Sequence, residues 1–172
     1  AYDSDGRDPE LWEELFKNGW STATLPETAG GLGLGFEEAM VIAVETGRSV
    51  LHLPLCETLL AARVAGRASG DPADRLLGEI ASGSSVTIAV GPAAGGFNDD
   101  ARDPVRASAD GQLTGLARSV PFGPQAQHCL VEAELEEGGN GLFALPCDAP
   151  GARWRERRAM DESVRRFDLE LD

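Results

Sequence analysis

The sequence predicts an α+β protein: an all-α N-terminal domain followed by a small antiparallel β-barrel or sandwich. Three observations carry this. Apolar residues recur at helical spacing as far as about Ser82, and from Ser84 onward they fall in short runs. Asp8-Pro9 and Asp71-Pro72, pairs that suit helix starts, stand where helices are expected to open in the first part. Turn dipeptides punctuate the second part at the spacing of short strands. The expected domains are residues 1–83 and 84–172.

Asp8 and Pro9 open the first helix as N-cap and first helical residue. Leu11, Trp12, Leu15 and Phe16 form its apolar stripe, and Gly19 stops it. Four glycines (Gly30, Gly31, Gly33, Gly35) then fill the stretch Pro26–Glu38, which can be neither helix interior nor good strand. The stretch fails the dinucleotide fingerprint, because Phe36 stands where the last glycine is required. It reads as a sharp turn that opens a second helix, Phe36 to Arg48. Phe36, Met40, Ala43, Val44 and Gly47 are expected to line its packed side, with Gly47 admitting a neighbouring helix. A third helix is expected over about Pro54 to Ala68, and a fourth from Asp71-Pro72 to Gly83, with Asp71 as N-cap before the proline and Leu76, Leu77 and Ile80 carrying it.

Eight strand-like runs follow: Val86–Val90, Val105–Ala109, Gln112–Gly115, Arg118–Phe122, His128–Ala133, Gly141–Leu145, Ala152–Glu156 and Ser163–Leu171. Asp110-Gly111 is a hairpin signal, and Glu136–Asn140 is a second turn. Runs at this spacing suit a small barrel or sandwich.

The chain has 172 residues, 42% of them hydrophobic, which supports a substantial core. A net charge of −14 argues against nucleic acid and against an anionic membrane surface as partners. No apolar run is long enough to insert in a membrane. Cys56, Cys129 and Cys147 are too few and too far apart for a disulfide framework or a metal site, and suit the cytoplasm. The absent initial Met and the strand-like Leu169–Asp172 read as cut ends, of a fragment or of a subunit completed by another chain.

The glycine stretch also carries a resemblance. Pro26-Glu-Thr-Ala-Gly-Gly-Leu-Gly-Leu34 follows a Trp-containing helix ending in Gly19-Trp20 and precedes a helix ending Glu45-Thr-Gly-Arg48. Ile88-Ala-Val-Gly-Pro-Ala-Ala-Gly-Gly96 stands where a Glu-Pro-Gly-Ala-Gly-Ser-Asp-like loop would be, and Gly115–Gly123 where a Gly-x-Lys-x-Trp-Ile-Thr-Asn-Gly-like strand would be. The chain resembles the N-terminal helical and middle β domains of acyl-CoA dehydrogenases. That resemblance implies an oxidoreductase of lipid metabolism that holds FAD, acts on an acyl-CoA thioester and passes electrons to a partner, as a homo- or hetero-oligomer. It implies that Ala89 and Val90 present backbone groups beside the flavin ring. Gly95 and Gly96 would approach the pyrophosphate, where glycine lets N–H groups face an anion. Val120 and Pro121 would lie against the ring.

Three departures bear on this. Ala117, Ser119 and Pro121 replace the family's Lys, Trp and Thr, and proline has no N–H to donate. The family's catalytic carboxylate comes from a C-terminal helical domain, so no catalytic residue is expected here. Two alternatives stay open: a flavin-less assembly subunit, and a flavin monooxygenase of the same fold.

Other candidates read as structural. His52 and His128 lack Cys, Asp or Ser neighbours that would make them catalytic. Arg153, Arg155, Arg157, Arg158, Arg165 and Arg166 suit either CoA phosphates or an outer strand face paired with Glu156, Asp161, Glu162 and Asp168. The alternation around Trp154 favours the paired face.

Overall fold

The first helix, α1 (Pro9–Lys17), begins as its sequence dictates. Asp8 Oδ1 accepts from the Leu11 N–H at 3.0 Å and Pro9 occupies the first turn. Leu11, Trp12, Leu15 and Phe16 are half-buried, while the remaining side is exposed. The Trp12 indole N–H donates to the Gly83 carbonyl at 2.7 Å, tying α1 to the end of the last helix. This computed structural model describes residues 8–90, 104–160 and 163–172.

The glycine stretch folds back on the turn segment before it. A single 3-10 turn, Glu27–Ala29, ends at Gly30 in the left-handed region. The Gly33 N–H then donates to the Leu25 carbonyl at 2.8 Å, and the Leu34 N–H to the Ala23 carbonyl at 2.9 Å. This back-folding is possible because residue 31 has no side chain: a Cβ there would lie 2.2 Å from the Leu25 carbonyl oxygen. Thr24 fixes the segment to its neighbour by donating to the Leu59 carbonyl at 2.6 Å.

Three helices follow: α2 (Phe36–Arg48), α3 (Leu55–Ala65) and α4 (Asp71–Ala81). Helix α3 is the interior one, burying Leu55, Thr58, Leu59, Ala61, Ala62 and Ala65. Three expectations about this region are corrected. The packed side of α2 is centred on Ile42, with Ala39, Ala43 and Thr46 half-buried, whereas Phe36, Met40 and Val44 are exposed. Gly47 meets no neighbour, since a Cβ built there finds open space. The start of α4 also differs: Gly70 is the cap, and Asp71 is the first helical residue, where its charge suits the positive end of the helix.

After Ser84 the chain is strands: β1 (Val86–Ala89), β2 (Arg106–Ala107), β3 (Leu113–Pro121), β4 (His128–Leu135), β5 (Asn140–Pro146), β6 (Ala152–Arg157) and β7 (Arg166–Leu171). Their order in the sheet is β1-β4-β2-β3-β7-β6, with β5 paired to β4. The β2–β3 and β4–β5 hairpins turn at Asp110-Gly111 and at residues 136–139, as their turn residues predict. Two features depart from expectation. β2 runs parallel to β4, so the sheet is mixed. These strands are not consecutive, so no hairpin chemistry sets their relative direction. The runs Gln112–Gly115 and Arg118–Phe122 form one strand, β3, which stays paired with β7 across a bulge between Ala117 and Val120.

The chain divides into two units, Ala1–Val86 and Thr87–Asp172. In the first, Ala23, Ile42, Leu55 and Leu59 form a buried cluster against which Trp12 and Leu15 pack. In the second, Val120, Cys129, Val131 and Leu169 are at the centre of a larger core.

Candidate functional site

The bulge in β3 is where the sheet stops satisfying its own backbone. Between Ala117 and Val120, two residues of β3, Arg118 and Ser119, face a single residue of β7, Asp168. A bulge of this kind leaves ladder hydrogen bonds unmade, and buried backbone groups must find other partners. Ser119 finds both on β7. Its N–H donates to Asp168 Oδ1 at 3.1 Å, and its carbonyl accepts from Arg166 Nη1 at 3.1 Å. Ser119 itself has φ of +58°, a left-handed conformation uncommon for a non-glycine residue.

Asp168 is 4% exposed although its position in the strand alternation points it away from the Leu169 side. Burial works against its charge. The Ser119 N–H, together with Arg155 at 3.1 Å and Arg157 at 3.3 Å, outweighs that and holds its carboxyl below the ordinary Asp range. The basic cluster is therefore largely committed to pairing. Arg153 pairs with Asp172, and Arg165 makes a two-pronged contact with Glu156 at 2.8 Å for each bond. This is the paired outer face rather than an open anion site. A surface concavity of about 410 Å³ over this face is bordered by Leu116, Arg153, Arg155, Asp168 and Glu170, and both of its arginines are already paired.

The next residue pair along β3 meets β1. Thr87, fully buried, donates its hydroxyl hydrogen bond to the Pro121 carbonyl. The two sequence stretches expected to share a site, Ala89-Val90 and Val120-Pro121, are thus connected through Thr87, on the same short strand as Ala89. Ala89 is buried and Val90 is 43% exposed. Val120 turns its side chain into the core and Pro121 is half-buried. Gly95 and Gly96 lie outside the described residues.

A flat aromatic ring system suits what is presented here. The accessible groups are Val90, the Pro121 ring and the Ser119 hydroxyl, and that hydroxyl makes no hydrogen bond among the described residues. Of Ser119, Val120 and Pro121, only Ser119 has a side-chain donor, and Pro121 has no N–H. Pro121 gives an apolar ring and Ser119 a hydroxyl, with the Arg166 guanidinium beside them, a set that fits a flavin held partly by stacking.

Sequence reasoning missed Thr87, and it placed Arg166 and Asp168 in the charged outer face without finding that both hold the Ser119 backbone. Local sequence marks Asp168 as a partner for the arginines, but nothing in Arg166-Phe-Asp-Leu169 shows that it is buried or that it meets Ser119. The remaining thiols and histidines add no chemistry. Burial pushes Cys147 up to about 12, helped by Asp148, and pushes Cys129 well up. His128 is half-buried at the start of β4, and His52 is half-buried between α2 and α3. No group of three metal-ligating side chains comes together among the described residues.

A helical unit with a glycine turn, followed by a mixed sheet with a bulged strand, defines an acyl-CoA dehydrogenase-like fold. Residues 1–84 match the family model "Acyl-CoA dehydrogenase, N-terminal domain". The chain is 29% identical over 84% of its length to acyl-CoA dehydrogenase FadE27 of Mycobacterium tuberculosis, of which it spans 38%. It is 34% identical over 66% of its length to acyl-CoA dehydrogenase IpdE2 of the same organism, of which it spans 36%. Among solved structures, a variant of the Tcur3481-Tcur3483 steroid ACAD superposes with TM-score 0.84 at 32% identity, covering 99% of this chain and 47% of that one. The chain belongs to the acyl-CoA dehydrogenase family. It spans less than half the length of these relatives.

Proposed function

We propose that this chain forms one wall of the flavin site in an FAD-dependent acyl-CoA dehydrogenase. The observation that carries the reading is the junction of β1 and β3, where the Thr87 hydroxyl holds the Pro121 carbonyl and so ties the strand that carries Ala89 to the Ser119–Pro121 stretch. Ala89 and Val90 would offer backbone groups to the ring, and Val120 and Pro121 would hold its flat side, the former through backbone because its side chain is in the core. Gly95 and Gly96 would approach the pyrophosphate. When bound, FAD supplies the hydride acceptor for oxidation of an acyl-CoA to its 2-enoyl-CoA, the substrate α-proton going to a base. The residues of this chain bind and orient, and they exclude water from one side. None of them is assigned as that base.

The relatives support an assembly with more than one kind of subunit. One solved neighbour is the ChsE4-ChsE5 complex from Mycobacterium tuberculosis, with TM-score 0.81 at 27% identity, covering 99% of this chain and 46% of that one. A steroid-sized thioester and a hetero-oligomer are therefore the first substrate class and assembly to test.

One observation favours a second reading, a flavin-less subunit kept for assembly. Pro121 cannot donate from its backbone, and its carbonyl is already engaged by Thr87. The visible spectrum of the intact-length protein, alone and with its co-expressed partner, separates the two. A bound-flavin spectrum that bleaches with an acyl-CoA supports the dehydrogenase. Oxygen consumption in place of bleaching points to flavin monooxygenase chemistry. A colourless protein that FAD does not reconstitute overturns the flavin reading and leaves the assembly subunit.

A further inference from the structure

We infer that Asp168 and Arg166 are positioning residues for the flavin wall, holding the β3 bulge at Ser119 in the one backbone conformation that presents Ser119 and Pro121 together. The inference rests on the flavin reading above.

The geometry is unusual in how much of one residue is held by side chains. Ser119 is held by β7 side chains in both directions: its N–H donates to Asp168 Oδ1 and its carbonyl accepts from Arg166 Nη1. Arg166 is the register partner of Pro121, so one arginine spans the bulge and the next site residue. Asp168 is in turn oriented by Arg155 on one oxygen and Arg157 on the other. A left-handed non-glycine residue persists only where its surroundings over-determine it, and here the over-determination comes from four charged side chains on two neighbouring strands.

The alternative is that these groups only stabilise the sheet. In that case loss of either group lowers folding stability but leaves the folded protein's flavin site unchanged. If they position the wall, the folded protein itself binds flavin differently. Ser119 is free to relax toward a commoner conformation once its N–H or carbonyl is released, and Pro121 moves with it.

The test uses intact-length protein and its flavin-free form titrated with FAD. Three variants are compared: Asp168→Ala, Arg166→Met and Asp168→Asn. The readouts are the FAD dissociation constant, the visible circular dichroism of bound FAD, and the unfolding midpoint of the flavin-free protein. Asp168→Ala and Arg166→Met should each weaken FAD binding roughly tenfold and change the visible dichroism. Asp168→Asn keeps an acceptor for the Ser119 N–H and should recover most of both. Wild-type FAD affinity and dichroism in folded Asp168→Ala and Arg166→Met overturn the inference, whatever happens to the midpoint. If Asp168→Ala does not fold, Arg166→Met decides the matter alone. A wild-type protein that takes up no FAD overturns the flavin reading and this inference with it, an outcome distinct from an FAD-binding wild type with unaffected variants.

Discussion

Ionised Asp168 is worth more folded than unfolded, and the sign of its pH dependence follows from that. Its folded carboxyl titrates below the ordinary value, so its contribution is complete above the unfolded pKa, about 4, and is lost as pH falls through the lower folded pKa. Asp168→Asn should therefore be less stable than wild type at neutral pH, with a gap that narrows as pH drops below about 4. Urea unfolding across that range measures it. A second residue-scale expectation concerns the thiols. Cys56 is exposed, while Cys129 and Cys147 are buried with raised pKa values. Alkylation of native protein followed by peptide mass mapping should find Cys56 modified and the other two protected until denaturant is added.

At the scale of elements, two contacts decide whether the helical unit closes. Thr58 in α3 accepts from the Val86 N–H at 2.9 Å and donates to the Pro54 carbonyl at 2.7 Å, all in a buried setting. Thr58→Val preserves volume and strands that N–H, and should cost about 1–3 kcal/mol. At the glycine turn, Gly31→Ala places a methyl carbon where the Leu25 carbonyl already is. The backbone must shift to admit it, with a loss of about 1–3 kcal/mol. Equilibrium unfolding checks both. Of these elements, the ones announced by local chemistry are the ones legible in the sequence. Asp8-Pro9 names its helix start, Asp110-Gly111 its hairpin, and the run of glycines its turn, because each acts through neighbours a few residues away. The side of α2 was not legible. That helix is apolar on more than one side, so periodicity alone could not select Ile42 over Phe36, Met40 and Val44 as the packed centre.

For the whole molecule, charge sets the dominant condition dependence. The net charge is −14, and the ion pairs at Lys17–Glu13, Arg48–Glu45 and Arg106–Glu134 join largely exposed side chains. Exposed pairs contribute about 0–1 kcal/mol each, whereas self-repulsion acts over the entire surface. Screening should favour the folded chain on balance, since the Debye length falls from about 10 Å at 0.1 M salt to about 3 Å at 1 M. A thermal midpoint that rises with sodium chloride agrees with this, and one that falls would show the ion pairs dominating.

Composition, period and turn chemistry established the α+β class and the helical-to-strand switch near Ser84, because those signals act over a few residues of chain. The resemblance carried by the short glycine-containing motifs, not period or composition, singled out Ala89, Val90, Val120 and Pro121. Long-range pairing governed everything else about the site. The bulge joins two expected strands into β3 only because β7 pairs on both sides of it. Thr87 reaches Pro121, 34 positions away, only because the strands converge. Asp168 is buried, and its charge held, only because Ser119, Arg155 and Arg157 converge on it from separate strands. A residue's period in its own strand tells which side it takes; what meets it there depends on register with strands that its local sequence does not encode.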